Sequence, residues 1–309
     1  MINPFQPIER LQAEVHTRLP AGFRRAASSG WADANRRGAA LECFLEGPSF
    51  DREGNLWLVD IPFGRVFRIA PAGEWTLALA YDGWPNGLKL HRDGRVFIAD
   101  HRLGLVVLHP ATGRHEVLLP NAHGEGFKGL NDLHFSAQGD LYFTDQGQSG
   151  IADPTGRVFR LRRDGVLERI CGNVPSPNGI TLTPGGEQCF VAATRSQQIW
   201  RLPVLPDGTI TKSGVAIHLS GGIAGPDGIE CDAEGGLVVC HLGVGVWRFD
   251  SRMLPTHFIA PPHPRHTHMA NVVWGAHDPD FLYIVDSMSG DVLRVRMPVP
   301  GPQMFGLAG

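Results

Sequence analysis

Six segments of the chain end in one short pattern, and no other feature restricts its folding as strongly. NLWLVD (55–60), RVFIAD (95–100), DLYFTD (140–145), QCFVAA (188–193), GLVVCH (236–241) and FLYIVD (281–286) each read as a β-strand. Before most of them comes a turn such as DREGN, HRDGR, SAQGD, TPGGE or DAEGG, whose glycine can take the positive φ of a tight hairpin. After them comes a third strand: GRVFRIA (64–70), GLVVLH (104–109), GRVFRLR (156–162), QQIWRLP (197–203), GVWRFD (245–250) and GDVLRVR (290–296). Five units add a fourth apolar stretch, as in WTLALA (75–80), HEVLLP (115–120) and GVAIHL (214–219). Four strands repeated at roughly 40 to 50 residues predict propeller blades. The expected fold is all-β, a six-bladed β-propeller with four antiparallel strands per blade.

The sixth unit stops near Met297 with three strands, while AEVHTRL (13–19) precedes the first complete unit and has no partner. Pairing the two closes the ring, and an open ring would leave two exposed sheet edges. The predicted organisation is therefore one domain: a closing strand and link over 1–43, blades over 44–297 and a tail over 298–309. Residues 21–42 show no convincing period and read as a crossing link.

Composition narrows the partners. Lys plus Arg (28) nearly balances Asp plus Glu (31), and the formal charge of −3 gives no field favouring nucleic acid or a membrane. A small-molecule partner remains. The five cysteines, an odd number without a CxxC pair, read as free and mostly buried thiols. Glu9, Arg10 and Glu14 stand where a signal peptide needs an apolar core, and no segment approaches 18 uninterrupted apolar residues, so a soluble cytoplasmic protein is expected. Nothing in the sequence reads on oligomeric state.

Aligning the units on their turn glycines (Gly54, Gly94, Gly139, Gly186, Gly235) and stepping back eight residues lands on Glu46, Asn86, Asn131, Asn178 and Asp227. The matching position of the sixth unit is Asn271. The first strand of a propeller blade is the innermost, so these six oxygen-bearing side chains are expected to ring the central channel. Such a ring without Lys or Arg offers acceptors and negative charge with nothing to neutralise them. A hard cation resolves the conflict. Ca²⁺ fits best, taking six to eight oxygens with modest geometric demands, while Mg²⁺, Mn²⁺ or Zn²⁺ stay open. The competing reading is that Asn86-Gly87, Asn178-Gly179 and Asp227-Gly228 are ordinary turn formers; it leaves Glu46 and Asn131 unexplained.

The motifs EGPSF (46–50), GLNDLHF (129–135), SPNGI (176–180) and GPDGIECDAEGGL (225–237) resemble those of the senescence marker protein (regucalcin), gluconolactonase and lactonase family of six-bladed propellers. The resemblance covers roughly residues 44–297. It implies one divalent metal held by Glu46, Asn131, Asn178 and Asp227, with Asn86 and Asn271 as further ring members. Regucalcin-like members carry an Arg two residues before the third-blade Asn, where this chain has Gly129; Lys128 is the candidate substitute or a solvated loop lysine.

The expected chemistry is opening of the ester ring of a small lactone, with Asp227 as general base on a metal-activated water. Asn86, Lys128, Asp145, His241 and Asn271 are the candidate substrate contacts. Asp60, Asp100, Asp145 and His241 stand fourteen residues past the ring position, with Asp286 one step later in its unit, and read either as orienting groups or as strand-end caps. His263, His266 and His268 lie in a Pro-rich loop at the channel rim without a zinc motif. Two alternatives stand: an organophosphate hydrolase of the diisopropyl fluorophosphatase type, and a non-catalytic calcium- or ligand-binding propeller.

Overall fold

The structure, a computed structural model, describes residues 7–308. Each blade is a meander of four antiparallel strands. Blade one runs Leu45–Phe50, Leu56–Asp60, Arg65–Ile69, Trp75–Ala80, and blade two Pro85–Leu90, Val96–Asp100, Gly104–His109, Arg114–Leu119. Blade three follows with Leu130–Phe135, Leu141–Asp145, Gly156–Leu161 and Leu167–Val174, and blade four with Pro177–Leu182, Gln188–Ala193, Gln198–Pro203 and Gly214–His218. Blade five is Pro226–Cys231, Leu237–His241, Gly245–Phe249 and Pro255–Ala260. Blade six takes Met269–Trp274, Phe281–Asp286 and Asp291–Arg296 from the C-terminal end and Glu14–Arg18 from the N-terminal end.

Blades are buried on both faces, which is why their second strands read as near-continuous apolar runs. Successive side chains point to opposite faces. In blade one, Trp57 and Val59 pack towards Leu88, Ile98 and Val106 of blade two, while Leu56 and Leu58 pack towards Val273, Val285 and Val292 of blade six. The apolar core is accordingly six clusters, one between each pair of neighbouring blades. The innermost strands pack on one another around the axis, and that of blade six closes on that of blade one.

Ring closure follows the expected pairing, with Glu14 opposite Arg294 and Arg18 opposite Asp291. The segment before it does something the sequence did not announce. Glu9–Gln12 adds a fifth, parallel strand to the outer edge of blade five, Glu9 opposite His257 and Gln12 opposite Ala260. Gln12 Nε2 donates to the carbonyl of Pro261 at 2.8 Å. The N-terminal segment thus ties blade five to blade six as well as completing the latter.

The link over 21–42 contains a 3₁₀ turn, Ala21–Phe23, and a short helix, Gly30–Asn35, whose N-cap Ser29 accepts from Ala32 N at 3.2 Å. All five cysteines are free and all but the half-buried Cys171 are buried. No described helix is long and apolar enough to cross a membrane.

Removing residues 1–19 should uncover the full length of Asp291–Arg296 as a sheet edge. The shortened chain is expected to melt well below the full chain and to self-associate, followed by calorimetry and light scattering. An unchanged midpoint in a monomeric shortened protein would show that closure rests on the blade interfaces alone.

Candidate metal centre and channel mouth

Each innermost strand breaks its ladder register at or beside the ring position: between Glu46 and Ser49, Pro85 and Gly87, Leu130 and Leu133, Pro177 and Ile180, Pro226 and Ile229, and Met269 and Asn271. Such irregularities re-aim a side chain out of the alternating pattern. The residue after the ring position is glycine in four blades, for a reason of space. A Cβ on Gly47 would lie 2.6 Å from the Asn86 carbonyl oxygen, one on Gly87 2.7 Å from that of Asn131, and one on Gly179 2.4 Å from that of Asp227. These Asn-Gly and Asp-Gly pairs are therefore strand residues whose glycine lets the next blade approach. They are not turns.

Glu46, Asn131, Asp227 and Asn271 are buried, while Asn86 and Asn178 are half-buried. Glu46 Oε2 accepts from its neighbour Gly47 N and from Asn271 Nδ2, each at 3.0 Å. The Asn178 side chain lies beside the Asp227 carboxylate and favours its ionised form. Asn131 Nδ2 donates to Gln146 Oε1 at 2.9 Å, and Gln146 Nε2 donates to Ser176 Oγ at 3.0 Å. That chain fixes the carboxamide so that, among the described residues, Asn131 Oδ1 has no donor. Asn271 is spent differently: its Nδ2 orients Glu46 and its Oδ1 accepts from Val272 N at 2.8 Å.

A third carboxylate joins them. Asp132 is buried beside Asn131, in the place where four blades have glycine, and its Oδ1 accepts from Leu133 N at 2.8 Å. Its signal was in GLNDLHF: an acid stands where EGP, PNG and PDG put glycine. Burial, then the Asp227 charge, pushes Glu46 well above the ordinary carboxylate range. Burial, then Asp132, raises Asp227 to about 7, and burial raises Asp132 to about 6 against the pull of Lys89. The buried Cys240 thiol is also raised, first by burial and then by Asp227, Glu46 and Asp132, so all three acids converge on it.

Three residues deeper along each inner strand lies a second layer: Ser49, Lys89, His134, Thr181, Glu230 and Trp274. Its charges balance internally. Lys89 Nζ meets Glu230 Oε1 at 2.5 Å, and Thr181 Oγ1 donates to Glu230 Oε2 at 3.1 Å. Burial alone would lower the Lys89 ammonium, but Glu230 and Asp132 hold it above its ordinary value. Burial pushes His134 down to about 4, so it is neutral. The far end of the channel is closed by the C-terminal tail, where Phe305 packs on Phe135 and His91 and a cavity of only about 20 Å³ remains beside Lys89 and Trp274.

The upper ring thus holds an uncompensated excess of carboxylate, and its donor set is acids plus free amide oxygens. Among the described residues no three His, Cys, Asp or Glu side chains form a cage by themselves. A cation here must also take amide oxygens, as Ca²⁺ does. The residues fit a hard divalent ion, with Glu46 and Asp227 supplying charge and Asn131 and Asn178 neutral oxygens.

The strand-end aspartates are capping groups. Asp60 Oδ1 accepts from Phe44 N at 2.7 Å, and Asp286 Oδ2 from His268 N at 2.9 Å. Asp145 is fully buried, with Oδ1 accepting from Lys128 N (2.7 Å) and Gly129 N (2.9 Å) and Oδ2 bound to Arg157. Both its oxygens are committed to the backbone and the ion pair. The Lys128 side chain is exposed, and Gly129, at φ +144°, has the imidazole of His101 where its Cβ would be, 2.4 Å away. His241 is buried at the end of its strand, its Nε2 3.2 Å from the Gly221 carbonyl and its Nδ1 unpartnered. In the rim loop, His266 is buried against Asp291 at 3.0 Å and His268 lies 3.2 Å from Arg36, while His263 is exposed.

On the ring's side of the molecule a cleft of about 440 Å³ opens between blades three and four, lined by Gln146, Gln148, Ser149, Ser176, Arg195 and Asn35 among others. The helix Gly30–Asn35 reaches it from blade one. Trp31 packs on Phe44 with ring centroids 4.8 Å apart, and Asn35 Oδ1 accepts from Gln148 Nε2 at 3.1 Å. A larger cleft of about 590 Å³ lies at the opposite ends of the inner strands, around the turns at 51–54 and 91–95.

Known proteins share this fold. The family described as SMP-30/Gluconolactonase/LRE-like region matches over residues 44–288. The chain belongs to that family. It is 28% identical over 235 residues to a gluconolactonase of Zymomonas mobilis, a match spanning 66% of each chain. It is 28% identical over 225 residues to the diisopropyl-fluorophosphatase of Loligo vulgaris, covering 64% of this chain and 72% of that one. The solved structure of a calcium-binding protein, regucalcin, from Agrobacterium tumefaciens superposes with a TM-score of 0.74 at 19% identity, over 96% of this chain and 98% of that one. That last likeness is one of fold.

The raised acids make a pH prediction for the metal-free protein. The folded state holds the Asp227 proton up to about pH 7, against an ordinary value of 3.8, so it binds more protons than the unfolded chain between those values. The stability that this group contributes is full below about pH 4 and is lost as pH rises towards 7. Asp227→Asn cannot lose it. In chelator, the variant should therefore gain on wild type by a few kcal/mol between pH 4 and 7, at about 1.4 kcal/mol per unit of displacement. Denaturant unfolding of both proteins across that range is the measurement; a difference that stays flat with pH would mean that Asp227 ionises normally.

Proposed function

We propose that the protein is a divalent-metal-dependent hydrolase that opens the ester ring of a small lactone, with Ca²⁺ as the resident ion. The observation that carries this reading is the buried excess of carboxylate at the ring, beside free amide oxygens, with a cleft of small-molecule size joined to it through Gln146 and Ser176. The gluconolactonase relative supports it. Bound there, a divalent ion would supply Lewis acidity for the ester carbonyl and for water.

The chain's own residues do the rest. Glu46, held by Gly47 N and Asn271, and Asp227, beside Asn178, would present charge to the ion. Asn131 is fixed through Gln146 and Ser176. Asp227 takes one proton from the attacking water as its oxygen bonds to the carbonyl carbon, and that proton goes to the ring oxygen when the acyl C–O bond breaks. The products are one hydroxy acid and no leaving group.

A second reading is favoured by the diisopropyl-fluorophosphatase relative. The same site can polarise a P=O bond, and matched assays of a lactone and a phosphotriester rank the two.

Chelation should abolish hydrolysis and a divalent ion restore it, with elemental analysis confirming each state. Full activity in verified metal-free protein removes the mechanism. At saturating metal, Asp227→Asn should remain about 10²- to 10⁴-fold down in kcat, the usual value of a general base. Asn178→Ala should recover most of its rate under the same conditions. Recovery of Asp227→Asn to near the wild-type rate would leave Asp227 as a ligand only and move the base to another group.

A further inference from the structure

The cleft between blades three and four, joined to the ring through Gln146 and Ser176, contains one basic side chain, Arg195, and its circumstances are unlike those of a solvated surface arginine. It sits in the 3₁₀ turn Thr194–Ser196 at the end of the second strand of blade four, and the turn is pinned from three sides. Thr194 Oγ1 donates to the Pro226 carbonyl at 2.7 Å, Thr194 N to the Ser176 carbonyl at 3.1 Å, and Ser196 Oγ to the Ala193 carbonyl at 3.1 Å. The Arg195 backbone is therefore fixed to the strand that carries Asp227 while its side chain is exposed. Among the described residues the guanidinium has no hydrogen-bond or ion-pair partner, and Asp153, the one acid of the cleft lining, does not pair with it.

A divalent ion in the ring would satisfy Asp227 and leave Arg195, in the turn bonded to Pro226 next to Asp227, as surplus positive charge in the cleft. On the blade-three side of the mouth the position against Gly129 is taken by His101, whose imidazole is held neutral by burial. Arginine recognises planar oxyanions through paired N–H donors and gains most when it has no other partner to give up.

We propose that Arg195 binds an oxyanion substituent of the substrate, so that the lactone this enzyme prefers carries a carboxylate or a phosphate on the side of the ring away from the ester. This rests on the lactonase reading and names the substrate class within it. The helix Gly30–Asn35, through the Asn35–Gln148 contact, bounds the same cleft and restricts that substituent to a small group.

The test compares kcat/KM on three lactones of one ring size: a neutral aldonolactone, the aldarolactone that replaces its terminal hydroxymethyl by carboxylate, and the phosphorylated aldonolactone. Wild type should prefer one of the anionic two by about 10- to 100-fold, the range of a hydrogen bond to a charged group. Arg195→Gln should collapse that ratio towards one and Arg195→Lys should keep part of it. The ratio is the readout because any effect of Arg195 on Asp227 acts on all three substrates alike. Which anion is preferred separates carboxylate from phosphate. Hydrolysis of all three at similar rates, or a preference untouched by Arg195→Gln, overturns the anion site and leaves the lactonase reading standing. Calorimetric titration of the calcium-saturated protein with the open-chain aldarate covers the remaining case. If no lactone is hydrolysed, binding of the aldarate by wild type and not by Arg195→Gln upholds the anion site apart from the lactonase reading, and equal binding by both ends it.

Discussion

The pairing of Glu14–Arg18 with Asp291–Arg296 turns six sheets in a row into a ring, and everything at the axis depends on that closure. In a row, each inner strand would face a neighbour on two sides and water on a third. In a ring, the six inner strands face one another, so whatever they carry inward is buried together. The price of that convergence falls on the polar residues, because a side chain with no cost at a blade edge becomes a buried charge at the axis. Two layers meet this in different ways. The deeper one neutralises itself, with Lys89 against Glu230 and a neutral His134 beside them. The upper one has Glu46, Asp132 and Asp227 and no ammonium of its own, and its carboxyls answer by holding their protons.

Close approach at the axis also dictates sequence. Glycine after the ring residue in blades one, two, four and five is required by the neighbouring backbone, which occupies the Cβ position. Blade three departs from this rule with Asp132, and in doing so adds a carboxylate next to the amide proposed as ligand. The cap at the same end of that strand pair, Asp145 opposite Leu130, fixes the backbone of Lys128 and Gly129 just before Asn131. Asp60, Asp145 and Asp286 thus serve the site at one remove: they fix the backbone leading into the inner strands of blades one, three and six.

Much of this was legible because the repeat is a physical necessity. A blade cannot bury its faces alone, so six units had to carry the same periodicity, and residues in phase had to meet at the axis. That located all six ring positions and the closing strand at 13–19. What escaped were features with no repeat behind them. Glu9–Gln12 looks like an ordinary polar segment because it lies on an outer edge and is mostly exposed. The helix Gly30–Asn35 spans only six residues, fewer than a period can mark, and buries Trp31 and Ala32 alone. Asp132 was hidden by its neighbour, since the phase argument selects one residue per blade and stops. Asn-Gly and Asp-Gly were ambiguous for a different reason: glycine is used both for positive φ and for missing bulk, and only the packing distinguishes the two. At Gly87, Gly179 and Gly228 it is the missing bulk, because none of the three has positive φ.

The deeper layer bears on why the proposed site would take one ion. Lys89 is the nearest fixed cation to Asp132 and holds down the rise that burial imposes on it, while its main partner is Glu230. A second divalent ion at the level of Glu230 would have to displace the ammonium from a contact of 2.5 Å and leave it buried without a partner, a cost of several kcal/mol. The chain has instead placed its own cation there. Uncompensated carboxylate is thereby confined to the upper ring, where the proposed ion and substrate would share it.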